Sequence, residues 1–393
     1  MRIGIFTDTY YPQINGLATS VLMLGHHLRM QGHRVFIFTT TDPDAPIDEE
    51  DVYRLPSMPF LEERRMGMFY HPRLARFVRR LDLDLIHTHT EFSLGVFGRY
   101  MARELRLPII HTMHTVYEDY THYLTKVRAL DPITKAIARK ITTDFCNSAD
   151  HVVVPTEKVR DLLTSYGVRG SIGTIPSGIE IGRFKPGYYS ISEVMRARDE
   201  MGIGPDERVV LYLGRIAKEK NIQELFYGLQ KYLKDTGGVK FLLVGDGQDR
   251  QRLEALAGEL EMTDKAIFAG AKPWDEIGKY YQAGDVFVNA SLSETQGLTY
   301  IEAMAAGLPV VAKADRCLEG ILRDGVNGYS FTDENGMINA LDKVLSDDSE
   351  WKRLSFGALA TAEQFSAATY AGKVAAEYEW LLSKGRERRR FAS

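Results

Sequence analysis

Short β-branched or aromatic runs alternate with helix-period segments along the whole chain, the pattern of parallel sheets with helices on both faces. In the first half, Arg2–Thr7, Arg34–Thr40, Leu83–His89, Pro108–His114, His151–Pro155 and Gly173–Pro176 predict strands. The helix after the first strand runs from about Gly16 to Gln31 and stops at Gly32, a residue suited to the position past a helix end. The alternation then restarts, with strands predicted at Val209–Gly214, Lys240–Gly245, Ala266–Gly270, Asp285–Asn289 and Pro309–Ala312. Leu225, Leu229 and Leu233 place an apolar stripe on the helix after Lys220. A last helix, from about Ala367 to Leu382, carries Tyr370, Val374, Tyr378 and Leu381 at helical spacing ahead of a charged tail, Lys384 to Arg390.

A chain of 393 residues exceeds one comfortable core, so the restart reads as a second domain. Gly182, Pro186 and Gly187 punctuate the join, which divides the chain at residue 183/184. The expectation is two doubly wound α/β domains, with ligands at the carboxyl ends of their strands and a cleft between them. Charge narrows the partners: 49 Lys and Arg against 53 Asp and Glu give −4, which argues against a nucleic-acid binder acting through overall charge. Two cysteines, Cys146 and Cys317, supply neither a disulfide framework nor a cysteine zinc site. The first residues run straight into a strand, and no stretch approaches the roughly 20 apolar residues of a membrane span. A soluble or peripheral, cytosolic protein is expected.

The candidate chemistry lies in loops after strands. Glu294 follows the strand Asp285–Asn289, and Gly297-Leu298-Thr299 opens a helix whose first-turn N–H groups suit a phosphate or a sugar oxygen. Glu302, farther along that helix, could accept from a ribose diol, and Glu294 from sugar hydroxyls; either carboxylate alone reads better as an exposed first-turn acid stabilised by the helix dipole. Arg215 and Lys220 bracket the loop after Val209–Gly214, and a guanidinium with an ammonium is what a diphosphate leaving group requires. Gly16, in the turn after the first strand, could let backbone approach a phosphate.

Together, the Glu294-x7-Glu302 pair, the Gly214-Arg215…Lys220-Asn221 loop and the Gly16 turn resemble glycosyltransferase family 4, retaining nucleotide-sugar enzymes of the GT-B fold. The resemblance spans nearly the whole chain in order, including Ile175-Pro176-Ser177-Gly178-Ile179. It implies that Arg215 and Lys220 neutralise the donor diphosphate, Glu302 binds the ribose and Glu294 contacts the donor sugar. It also implies that residues 366–393 cross back onto an acceptor-side domain of residues 1–183, leaving 184–365 as the nucleotide-sugar domain. Many relatives carry Phe where this chain has Gln296. His111 to Tyr123 and Gly4 to Pro12 resemble segments of the diacylglycerol α-glucosyltransferases in that family. The match places His114 beside the transferring sugar and makes Tyr117 and Asp119 acceptor-side candidates.

Two features stand outside that resemblance. His87, His89, His111 and His114 fall at neighbouring strand ends and could bind zinc. The family implies no tightly bound metal or other cofactor, a divalent ion being at most stimulatory. Leu74, Phe77, Val78 and Leu81 share one helical face, with Arg73, Arg76 and Arg80 on another. A second helix, started by Asp131 and Pro132, sets Ile133, Ile137 and Ile141 beside Lys135, Arg139 and Lys140. Such stripes can face a sheet or rest on anionic lipid. The resulting expectation is retaining transfer of glucose from UDP-glucose to diacylglycerol, at the inner face of the cell membrane. The alternative is a mannosyl- or other hexosyltransferase acting on phosphatidylinositol or a soluble sugar.

Overall fold

Apolar runs buried on both faces build the two sheets. In the computed structural model, the described residues are 1–391 apart from 14, 47–48, 60–64 and 117–130; side chains of 131 and 385–391 are not described. The chain forms two compact units, Met1–Gly178 with Ala367–Ser393, and Ile179–Ser366. The division falls ahead of the glycine- and proline-punctuated join, because Ile179, Ile181 and Phe184 are already buried in the second unit's core.

In the first unit the elements run β1 (Arg2–Phe6), α1 (Gly16–Met30), β2 (Arg34–Thr40), β3 (Val52–Leu55), β4 (Ser57–Pro59), β5 (Arg65–Gly67), α2 (Pro72–Val78), β6 (Leu85–Thr88), α3 (Ser93–Leu105), β7 (Ile109–Thr112), α4 (Asp131–Cys146), β8 (His151–Val154), α5 (Glu157–Ser165) and β9 (Ser171–Thr174). Seven strands pair in the order β3-β2-β1-β6-β7-β8-β9, all parallel. β4 and β5 form a separate antiparallel pair. Val35, Phe36, Ile37 and Phe38 are wholly buried in β2, and Phe38 stacks on Phe6 at 4.5 Å between ring centroids. Full burial of each such side chain contributes about 1.5–3 kcal/mol.

The second unit contains α6 (Ile191–Glu200), β10 (Arg208–Leu213), α7 (Ile222–Asp235), β11 (Val239–Val244), α8 (Arg250–Glu259), β12 (Ala266–Gly270), α9 (Ile277–Gln282), β13 (Val286–Asn289), α10 (Leu298–Ala305), β14 (Val310–Lys313), β15 (Gly328–Phe331), α11 (Glu334–Leu345) and α12 (Asp348–Ala362). Its parallel sheet is ordered β12-β11-β10-β13-β14-β15. Leu225, Leu229 and Leu233 of α7 are fully buried, as their four-residue spacing predicts. The final helix α13 (Ala367–Phe391) returns to the first unit, where Tyr370, Val374 and Tyr378 share a core with Leu24 and Leu28 of α1.

Candidate functional site

Each sheet reverses its strand order once, at β1/β6 in the first unit and β10/β13 in the second. In open parallel sheets the crevice for a ligand lies at that reversal.

In the second unit, the loops after β10 and β13 meet there. Lys220 Nζ donates to Glu294 Oε1 at 2.6 Å, and the two side chains are only 17% and 14% exposed. Ser293 Oγ donates to the Glu219 carbonyl at 3.2 Å, tying the same loops together. Asn221 takes a left-handed turn, φ 53°, that swings the chain from this loop into α7. Arg215 pairs with Glu219, one turn away, and is more exposed than Lys220. The third neighbouring loop is held close by glycine: a Cβ on Gly245 would lie 1.9 Å from the Gly214 carbonyl oxygen, which no side chain tolerates.

Gly297 has φ +74° and starts α10, where a Cβ would fall 2.4 Å from the Tyr300 ring. Gly297, the residue at the N-cap, has no side chain with which to cap this helix, and the amides of Leu298 and Thr299 lie in its first turn. The preceding Gln296, where many relatives have Phe, is buried. Glu302 lies on α10 and accepts from the Tyr281 hydroxyl through Oε2 at 2.7 Å. Burial pushes the Glu302 carboxyl above the usual carboxylate range, while the Tyr281 hydrogen bond and the Arg183 charge pull it back. Arg183 itself lies 3.2 Å from the centroid of the Trp274 ring. The structure thus joins Lys220 to Glu294 directly and surrounds Glu302 with Tyr281 and Arg183. Neither Tyr281 nor Arg183 stands out in the sequence, because each is separated from Glu302 along the chain and lies in no motif.

In the first unit, Gly16 is the opening residue of α1, and Asn15 Oδ1 accepts the Ala18 amide at 2.9 Å to cap it. Asp8, buried just after β1, accepts from Thr90 Oγ1 at 2.6 Å, from Ser93 Oγ and from the Leu94 amide at 3.0 Å. It pins the β1 and β6 loops together at the reversal, although burial raises its pKa. His114 Nε2 and His89 Nδ1 are 2.9 Å apart. His87 meets the Tyr378 hydroxyl at 2.6 Å and Thr112 Oγ1 at 2.7 Å, and His111 Nε2 meets Glu91 Oε1 at 3.2 Å. Burial pushes His114 down to about 3 and holds His87 and His89 well below their ordinary range, so all three are neutral imidazoles at neutral pH. These contacts disperse the ring nitrogens, and among the described residues no group of three or more His, Cys, Asp or Glu is arranged to hold a metal ion. Tyr117 and Asp119 lie outside the described residues.

The two amphipathic segments part company. On α2, Leu74 and Phe77 pack against the unit's own core and Phe77 lies 4.6 Å from Tyr53 between ring centroids, so of the two readings of this stripe, sheet or lipid, the sheet takes Phe77. The β-sheet needs that apolar face, leaving Arg73, Arg76 and Arg80 exposed around it. On α4 the stripe faces outward instead: Ile133, Ile137 and Ile141 are 58%, 55% and 50% exposed. Lys135, Arg139 and Lys140 border an open cavity of about 540 Å³ beside them, where Arg139 lies over the Tyr166 ring at 4.7 Å. Met68, Phe69 and Tyr70, between β5 and α2, are exposed as well. No described helix is long and apolar enough to cross a membrane.

Comparison with known proteins gives consistent matches. Residues 14–183 match the family described as Glycosyltransferase Family 4, and residues 195–359 match Glycosyl transferases group 1. The chain is 40% identical over 348 residues to an alpha-monoglucosyldiacylglycerol synthase of Streptococcus pneumoniae, covering 88% of this chain and 78% of that one. It is 34% identical over 394 residues to the enzyme of the same name from Acholeplasma laidlawii, covering 99% of both chains. Among solved structures, a sucrose-phosphate synthase from Thermosynechococcus elongatus superposes with a TM-score of 0.77 at 24% identity, covering 98% of this chain and 100% of that one. That likeness establishes the GT-B fold.

Proposed function

The chain belongs to glycosyltransferase family 4, and from that premise we propose that it transfers glucose from UDP-glucose to 1,2-diacylglycerol with retention, forming α-monoglucosyldiacylglycerol at a membrane surface. The observation that most supports this reading is the likeness to two alpha-monoglucosyldiacylglycerol synthases, over most of one and over nearly the full length of the other.

In this reading the acceptor hydroxyl attacks the anomeric carbon on the face that UDP leaves. The carbon–oxygen bond to the diphosphate breaks, and a donor phosphate oxygen takes the acceptor proton, so the enzyme supplies no nucleophile. Lys220, Arg215 and the Leu298 and Thr299 amides stabilise the charge that grows on the leaving diphosphate. Glu302 holds the ribose, and Glu294, fixed by Lys220, orients sugar hydroxyls. His114, neutral because it is buried, shapes the sugar pocket and does not act as a cationic acid. Those cations and amides supply the positive field, so a divalent metal is at most stimulatory and no cofactor besides the donor is required.

Diacylglycerol resides in lipid, and the outward Ile133–Ile137–Ile141 stripe with Lys135, Arg139 and Lys140 suits an anionic membrane surface, as do Arg73, Arg76 and Arg80. The protein would then act as a peripheral enzyme on the cytoplasmic face. The test is a matrix of UDP-glucose and GDP-mannose against diacylglycerol, phosphatidylinositol and soluble sugars, with the product's anomeric configuration read by NMR. An α-glucosyl diacylglycerol is expected. A β-linked product, or transfer to phosphatidylinositol or a soluble sugar in its place, would overturn the assignment.

A further inference from the structure

Glu302 is a carboxylate removed from most solvent inside a helix, and it has one hydrogen-bond donor. Tyr281, on α9, has a fully buried ring and spends its hydroxyl on Glu302 Oε2 at 2.7 Å. The ring is fixed independently of that bond: it packs edge-on to Phe184 at 5.7 Å and against Phe287 at 6.0 Å. The hydroxyl therefore has a fixed origin, and the carboxylate it meets loses rotational freedom. Among the described residues, no hydrogen-bond donor meets Oε1. The Arg183 charge also acts on Glu302 and opposes the rise that burial imposes on its carboxyl. Arg183 is itself held by stacking at 3.2 Å over Trp274, and its buried Nε meets no hydrogen-bond partner among the described residues.

We propose that Tyr281 is a positioning residue for nucleotide recognition: by occupying Oε2 it fixes the plane of the Glu302 carboxylate and presents Oε1 to the donor ribose. Arg183, clamped on Trp274, adds a positive charge that favours the ionised form of that carboxyl. The inference rests on the reading that Glu302 binds the ribose. A carboxylate held in one plane accepts from a hydroxyl pair better than a rotating one, because the ordering cost is met before the ligand arrives. Its effect falls on binding of the nucleotide and leaves the transfer step alone.

The test compares UDP-glucose with its 2′-deoxyribose analogue in steady-state kinetics of the full chain. Tyr281→Phe keeps the ring and removes only the hydroxyl. It is expected to raise the KM for UDP-glucose about five- to tenfold, the size of one ordinary hydrogen bond, with kcat within about twofold. It is also expected to erode the preference for the ribose donor over the deoxyribose donor. A melting temperature near that of the parent protein shows that the fold survives. Glu302→Gln separates the two levels of the argument. If Glu302→Gln abolishes the ribose preference and Tyr281→Phe leaves both KM and preference unchanged, the positioning role is wrong and the ribose role stands. If neither substitution moves the preference, the ribose role fails and the positioning role with it.

Discussion

Replacing Lys220 with Ala probes the proposed diphosphate site at its most shielded cation. The Nζ–Oε1 distance to Glu294 is 2.6 Å, and both side chains are largely shielded from water. Exposed ion pairs are worth about 0–1 kcal/mol, whereas losing one partner of a buried pair costs about 3–5 kcal/mol. With exposures of 17% and 14%, this pair lies between those limits, and removing Lys220 should destabilise the second unit by about 2 kcal/mol. The loss of activity should be larger if, as proposed, the ammonium faces charge that develops only as the diphosphate departs. Removing one such preorganised donor typically lowers kcat by about 10²–10³. A second variant separates the two effects. Lys220→Ala combined with Glu294→Gln removes the stranded carboxylate, so stability should recover while activity stays low. Radiolabelled glucose transfer to diacylglycerol vesicles, read beside thermal unfolding, measures both quantities. If Lys220→Ala retains kcat within about threefold of the parent while melting earlier, the lysine is a structural ion-pair partner and its catalytic role is refuted.

Three further outcomes follow from the same geometry. Gly297→Ala places a side chain at φ +74° against the Tyr300 ring, and a cost of about 1–3 kcal/mol should appear as an earlier thermal transition; an unchanged transition would show that the start of α10 adapts. Changing Ile133, Ile137 and Ile141 together to Ser should leave thermal stability nearly unaltered, because all three are exposed, yet reduce co-sedimentation with anionic vesicles. Unaltered co-sedimentation would remove α4 from the membrane account. Acid sensitivity should come from His87, His89 and His114, whose pKa values are depressed by burial, His114 to about 3. Between that value and about 6.5 the unfolded chain binds the extra protons, so stability is complete above about pH 6.5 and declines as the pH falls below it. Urea midpoints at about pH 7.5 and about pH 5 check the sign, and a higher midpoint at the acid value would contradict it.

Sequence patterning finds the strands buried on both faces, such as Val35–Phe38 and Phe241–Val244, where continuous apolar runs leave little ambiguity, and also the half-exposed edge strands Ala266–Gly270 and Ser171–Thr174. Those it misses are of a different kind. Val52–Leu55 and Gly328–Phe331 lie at sheet edges and carry Arg54 in one case and Gly328 and Ser330 in the other, which dilutes the apolar signal. Ser57–Pro59 and Arg65–Gly67 are too short to carry a period. The same limit separates α2 from α4. Both carry an apolar stripe and a row of cations, and periodicity cannot say which stripe meets a sheet. Packing decides that Phe77 turns inward and Ile137 outward.

At the site, local motifs mark the loops that hold Arg215, Lys220, Glu294 and Glu302, because strand ends and helix starts have recognisable chemistry. The meeting of Lys220 with Glu294 depends on β10 lying beside β13, a fact of strand order that no local window contains. Tyr281 and Arg183 are invisible for the same reason. Their contact with Glu302 exists only after α9, α10 and the 181–183 turn have packed together.

The most direct test of the central claim is a crystal structure of the protein with UDP-glucose bound. The account predicts the diphosphate against Lys220, Arg215 and the Leu298 and Thr299 amides, with the ribose at Glu302. A diphosphate bound elsewhere, with Lys220 making no contact to it, would contradict it.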